Sequence, residues 1–247
     1  MGKLLKSEAI KLLTPWGYKI FLLCSLGIGL LLGVTGVALG GLSGTPMTGY
    51  DVLMEFITEP QIVGVMAGIF TSFFIGNEFS HRTFGNAIIN GCSRTQIFLA
   101  KVIVFMLGLS VILILLPLVA TIYVTAIQGF GPINTDILLH ILRTIVLTLL
   151  GYVTFGSLCV LFAMLIKKPG AISGILIAIF LCLTMFIQLM GASENIIIGQ
   201  IVRSLFVYQF MLSTHPESVL TYVVVCVVTS IICLTAGLYT FKNTELK

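Results

Sequence analysis

The sequence predicts an all-α membrane protein with six transmembrane helices, and three observations carry that prediction. Of its 247 residues, 58% are hydrophobic and only 9% charged. The mean hydropathy of +1.15 exceeds what a water-exposed surface tolerates, so lipid is the solvent for most of the chain. Six apolar runs, at 19–40, 60–77, 102–127, 137–166, 170–190 and 219–241, each reach the roughly 17 residues or more that cross about 30 Å of hydrocarbon. Single helices are the expected form, because a helix satisfies its own backbone in lipid. Six spans leave little chain for any soluble domain, so residues 1–247 read as a single transmembrane domain.

The N-terminal element comes first. Within residues 1–17, the stretch KLLKSEAIKLL places Leu5, Ala9, Leu12 and Leu13 on one helical face, with Lys3, Lys6 and Lys11 largely on the other. That is an amphipathic interfacial helix on the inner leaflet, serving either as an anchor for the first span or as a docking element for a partner. The first apolar run, Lys19 to Gly41, is longer than a signal-peptide core and has no A-x-A-like site after it, which predicts a retained signal anchor. Gly27, Gly29 and Gly33 on this run could let helices approach closely or line a path. Asp51, Glu55 and Glu59 then recur at i, i+4 and i+8, an acidic stripe that is either a solvated face or an attractor for a cationic peptide. Pro60 suits the first turn of the second run, and Thr71 and Ser72 within that run are the candidate substrate path.

The loop GNEFSHRTFGNAIINGCSRTQIFLAK, Gly76 to Lys101, is more than a connector. Phe84, Ala87 and Ile88 make an apolar stripe, while Arg82, Asn86 and Asn90 recur at i, i+4 and i+8 on another face. Gly91 offers a C-terminal stop, and Ser93 with Gln96 forms an S-x-x-Q capping box that starts a helix running into the third span. The prediction is two short helices meeting at Gly91, with the Arg82/Asn86/Asn90 face shown to the cytosol as a lever for a partner, against the simpler alternative of a solvated amphipathic loop. Further on, Pro117 should kink the third span. His140 and Arg143 are expected to snorkel to headgroups at the start of the fourth or to line an exit, and Lys167 with Lys168 reads as a topology signal. The run 196–212 carries Gln200, Arg203 and Gln209, too polar for a free span and too apolar for a solvated loop.

Charge sets the orientation. Eleven of the thirteen basic residues fall in the N-terminus, the 78–101 loop, the 167–168 turn and the C-terminus, Lys101 among them. Arg143 and Arg203 alone fall on the opposite side, with Asp51, Glu55, Glu59, Asp136, Glu194 and Glu217. The positive-inside rule places both termini in the cytoplasm, which requires an even number of spans.

Several functions are excluded. No G-x-x-x-x-G-K-[ST] occurs, so the chain lacks the amides and lysine of a phosphate cradle and cannot hydrolyse ATP alone. The apolar cores of the runs hold no Asp, Glu, Lys or Arg, the groups that ion-coupled carriers keep near mid-membrane, so energy comes from another subunit or the transport is passive. Without an aromatic-interleaved basic patch, no nucleic-acid partner is expected. His81, His140 and His215 are far apart with no HExxH, so no metal site is predicted, and the six cysteines read as small buried hydrophobes. Gly41-Leu42-Ser43-Gly44 spells the GxSG of rhomboid-type proteases, but no histidine lies deep in a later span to activate Ser43.

At N-E-F-S-H-R-T (77–83), S-R-T-Q-I-F-L-A-K (93–101) and the closing F-K-N-T-E-L-K (241–247), the sequence resembles the membrane subunits of type 2 ABC transporters. The likeness is to bacterial permeases of the bacitracin-efflux, lantibiotic-immunity and peptide-toxin-export kind. That resemblance implies a coupling helix at 78–98 that docks into a cytosolic ABC ATPase dimer through Glu78, Phe79, Arg82, Thr83, Asn86 and Asn90. It also implies a second membrane subunit, identical or homologous, and short helices dipping into the membrane from outside within 191–218. ATP and Mg would be bound by the ATPase, leaving no cofactor in this chain. The expected function is export of a hydrophobic or amphipathic substrate, such as an antimicrobial peptide, toxin or antibiotic, across a bacterial cell membrane. A passive pore or secondary carrier, an intramembrane hydrolase, and peptide immunity without transport remain the alternatives.

Overall fold

An apolar run in lipid has to close its own backbone hydrogen bonds, and each of the six predicted runs does so as a helix. The computed structural model describes residues 2–14, 16–43, 46–80, 93–191, 205–214 and 218–243. Among these the helices are α1 Gly2–Leu13, α2 Trp16–Ser43, α3 Gly49–Ile57, α4 Pro60–Thr71, α5 Arg94–Gln128, α6 Thr135–Ile166, α7 Pro169–Gly191, α8 Phe206–Met211 and α9 Val219–Asn243. No strand occurs among the described residues. A π-helix, Ser72–Gly76, and a last turn, Asn77–Ser80, prolong α4, and six helices are long and apolar enough to cross a membrane.

Helices overshoot the predicted runs where a cap, rather than the end of the apolar stretch, stops them. Ser93 and Gln96 form the expected capping box: the Gln96 amide donates to Ser93 Oγ at 3.3 Å and the Ser93 amide to Gln96 Oε1 at 3.4 Å. Pro60 takes the first turn of α4, where its missing N–H costs nothing. The chain stays helical through Pro117, and the Thr121 hydroxyl donates to the Pro117 carbonyl at 2.8 Å.

Burial sorts the spans. In the apolar windows of α4, α5 and α6, 61%, 56% and 56% of residues are buried, against 22%, 28% and 17% in α2, α7 and α9, so the first three form the centre and the others flank it. α2 and α3 lie along α5, α7 against α4, and α9 against α6. A Cβ at Gly29 would sit 2.6 Å from the Leu116 carbonyl oxygen, and one at Gly33 would sit 2.9 Å from the Tyr123 ring. Close approach is therefore the role of these two, whereas Gly27 faces open space. The core is aromatic. Phe70 stacks on Phe74 at 5.8 Å and on Phe105 at 5.4 Å, while Phe155 gathers Phe180, Phe206 and Phe210, each at 5.0 Å.

On the side of the bundle where α6 begins, two expectations change. The acidic stripe is broken, because α3 ends at Ile57 and Glu59 sits at the N-cap of α4. Asp51 closes a capping box, accepting from the Thr48 amide at 2.9 Å and from the Thr48 hydroxyl at 2.7 Å. His140 does not reach for headgroups. Its Nε2 lies 3.0 Å from the Thr214 carbonyl, to which it must donate, leaving Nδ1 to accept from the Tyr50 hydroxyl at 3.1 Å. It thereby ties α3 and the turn after α8 to α6. α8 itself lies within the bundle, with Phe206, Val207, Gln209 and Phe210 buried.

Candidate functional site

At the opposite end, the inward stripe of α5 runs through Ile97, Phe98, Lys101 and Phe105, spaced as a helix face requires. Register therefore forces a lysine to point into the protein: Lys101 is 1% exposed. A buried ammonium has to be paired, and three elements supply partners. Lys101 Nζ donates to Glu8 Oε2 of α1 at 2.9 Å, contacts Glu78 Oε1 beyond the π-helix, and lies 4.5 Å from the centroid of the Phe74 ring. Lys11 closes the group, reaching Glu8 Oε1 at 2.6 Å and Glu78 Oε1 at 3.4 Å. Two cations and two carboxylates thus form a neutral cluster joining α1, the exit of α4 and the start of α5.

That pairing sets the electrostatics. Burial alone would raise the Glu8 carboxyl, but Lys101 and Lys11 outweigh it and hold it below the ordinary carboxylate range. Burial would lower Lys11, and its bonds to Glu8 and Glu78 instead hold it above the ordinary lysine value. One turn beyond Glu8, Leu12 packs where a Cβ on Gly108 would come within 2.9 Å, so apolar contact presses α1 onto α5 beside the charges.

The same end collects further ties. The Ser72 hydroxyl donates to the Pro169 carbonyl at 2.5 Å, and a Cβ on Gly76 would meet Pro169 Cα at 2.9 Å, so the π-helix sits directly on the start of α7. A π-helix bulges the backbone and re-aims the residues beyond it, here delivering Glu78 to Lys101. Arg94 Nη1 donates to the Lys242 carbonyl at 2.6 Å, and the Phe98 and Phe241 rings stand 6.0 Å apart. Two of the stretches that carry the family resemblance, near 94 and near 242, therefore meet in space.

Of the predicted coupling residues, Glu78 turns into the cluster and Phe79 packs against the core. Arg82, Thr83, Asn86 and Asn90 lie outside the described residues, as do the stripe of Phe84, Ala87 and Ile88 and the stop at Gly91. The candidate path residues engage the chain's own carbonyls: Thr71, fully buried, donates to Ala67 at 2.6 Å, and Ser72 to Pro169. Sequence reasoning misses Lys101, Glu8 and Lys11 as a site. It groups Lys101 with the loop's topology charges, although the stripe of Ile97, Phe98 and Phe105 around it already signals an inward position. Glu8 carries the same signal, one helical turn from Leu12 on α1.

Six apolar helices, with ionised groups paired at one end of the bundle, define a multi-pass membrane protein. The chain belongs to the ABC-2 family of transporter proteins, whose family model matches residues 4–185, α1 through most of α7 and the whole charge cluster. It is accordingly a membrane component of an ABC transporter and not itself the catalyst. No curated protein matches the chain.

Proposed function

We propose that this chain is the permease of an ATP-driven exporter of hydrophobic or amphipathic molecules, peptides foremost, in a bacterial plasma membrane with both termini cytoplasmic. An ATPase dimer that binds ATP and Mg docks against the 78–98 lever, and a second membrane subunit, identical or homologous, completes the path. The observation that carries this reading is the neutral cluster of Glu8, Lys11, Glu78 and Lys101. A push on the lever reaches Glu78 first. Because breaking a buried ion pair costs about 3–5 kcal/mol, α1 and α5 move with Glu78 rather than part from it, so that the spans rock together. Thr71, just before the π-helix, and Ser72, its first residue, are the candidates for contact with cargo.

The test is copurification followed by transport. The tagged chain, expressed with its ATPase, is expected to bring that subunit down in stoichiometric amount and to drive ATP-dependent movement of an amphipathic peptide in reconstituted vesicles. Arg82→Glu, on the lever, should weaken ATPase recovery by roughly tenfold or more, the scale of losing one charged contact at an interface. Uphill transport by the purified chain without an ATPase would refute the proposal.

A further inference from the structure

The first span carries a lysine that the charge cluster leaves out. Tyr18 and Phe21 turn inward to the Phe70 ring, and the other side of α2 shows Trp16, Lys19, Ile20 and Leu23, all exposed and spaced at i, i+3, i+4 and i+7. Trp16 is 77% exposed, and Lys19 Nζ lies 5.4 Å from the centroid of its ring. Glu8 and Glu78, the described carboxylates at this end of the bundle, are held by Lys101 and Lys11, and no described carboxylate pairs with Lys19. A lysine on an apolar, outward face takes its counter-ion from outside the protein.

Depth identifies that counter-ion. α2 runs beside α5 in the same direction: the Tyr18 hydroxyl donates to the Gly108 carbonyl at 3.4 Å, and further along a Cβ on Gly33 would meet the Tyr123 ring at 2.9 Å. Lys19 is therefore about level with Gly108. Gln128, at the end of α5, stands twenty residues beyond Gly108, about 30 Å at 1.5 Å per residue. That distance is one hydrocarbon thickness, which sets Lys19 at the boundary of the layer, where lipid phosphates lie. Lys101, seven residues before Gly108, then falls about 10 Å outside the hydrocarbon, as an ionised cluster requires. Deeper than the ammonium, Ile20 and Leu23 offer apolar contact to acyl chains, while Trp16 supplies the amphipathic ring suited to a membrane interface.

We propose that Trp16 and Lys19 form a site for the phosphate of an anionic phospholipid, with its acyl chains lying along Ile20 and Leu23. A zwitterionic headgroup brings its own ammonium to that phosphate, so phosphatidylglycerol should be preferred over phosphatidylcholine. Trp16 is the only tryptophan in the sequence, so its fluorescence reads the site without a label. The full chain is reconstituted in phosphatidylcholine vesicles with increasing mole fractions of either phosphatidylglycerol or phosphatidylcholine brominated on the acyl chain near the ester. Brominated phosphatidylglycerol is expected to quench Trp16 at about fivefold lower mole fraction, the scale of one lysine at an anionic surface. Lys19→Gln should make the two lipids quench alike. Lys168→Gln, which removes an equal charge from an exposed position just before α7, should leave the preference unchanged. Equal quenching in the native chain, or no quenching by either lipid, overturns the proposal. So does a preference that survives Lys19→Gln, or one that Lys168→Gln also removes, since net charge rather than this site would then attract the lipid.

Discussion

Lys101 shows how one residue's meaning depends on a single turn of helix. Two residues nearer the loop, it would be a solvated topology charge; at its actual register it is enclosed by Glu8, Glu78 and the Phe74 ring. Lys101→Met leaves two carboxylates sharing only Lys11, and is expected to lower stability by about 3–5 kcal/mol, read as a fall in melting temperature in detergent. The cluster also fixes a pH response. Glu8 titrates below its ordinary value when folded, so its contribution is complete above that ordinary value and is lost as the pH falls through the lower one. Lys11 titrates above its ordinary value, so its contribution is complete below the unfolded lysine value and fades as the pH rises through the higher one. Melting temperature should therefore hold a plateau between these limits, and Glu8→Gln should flatten its acid-side edge. The sequence already displays the buried stripe around Lys101; it cannot reveal which distant carboxylates meet it, because 93 positions separate Lys101 from Glu8.

At the scale of elements, periodicity and capping signals are legible, and the devices that join helices are not. The capping box at Ser93 and Gln96 is readable because its partners are three residues apart. The π-helix at Ser72–Gly76 is not, since its cause is tertiary: the Ser72 bond to Pro169 and the absence of a side chain on Gly76 let α7 begin against it. α8 shows the same limit. Its Phe210 ring occupies the space a side chain on Gly151 would take, with a Cβ there only 2.4 Å from the ring. Gly151→Ala should displace α8 from α6 at a cost of about 1–3 kcal/mol. The expected readout is faster proteolytic cutting after Phe206 or Tyr208 in variant than in native protein. Unchanged protection would mean that α8 is not seated by this contact. The acidic stripe misleads because equal spacing suggests one helix, whereas Glu59 lies beyond the end of α3.

For the molecule as a whole, the number and order of spans can be read from hydropathy, because lipid permits so few alternatives. Sidedness rests on the basic residues, and the structure adds that the α1 cluster, the start of α5 and the end of α9 share one end of the bundle. In a Cys92→Ser background, an impermeant maleimide added to intact cells should label Thr135→Cys. Thr14→Cys and Lys242→Cys should react only after permeabilisation, and the reverse pattern would invert the topology. The bond between Glu8 and Lys101 also sets an order of manufacture. At about 5–20 residues per second, a ribosome needs roughly 5–20 s to travel from one to the other, and for that interval the Glu8 carboxylate has only Lys11 of its own helix as an ion partner. The newborn first helix must wait at the membrane until the third span arrives to fasten it, so insertion machinery that releases segments out of turn would leave a subunit of full length but with its first helix unsecured.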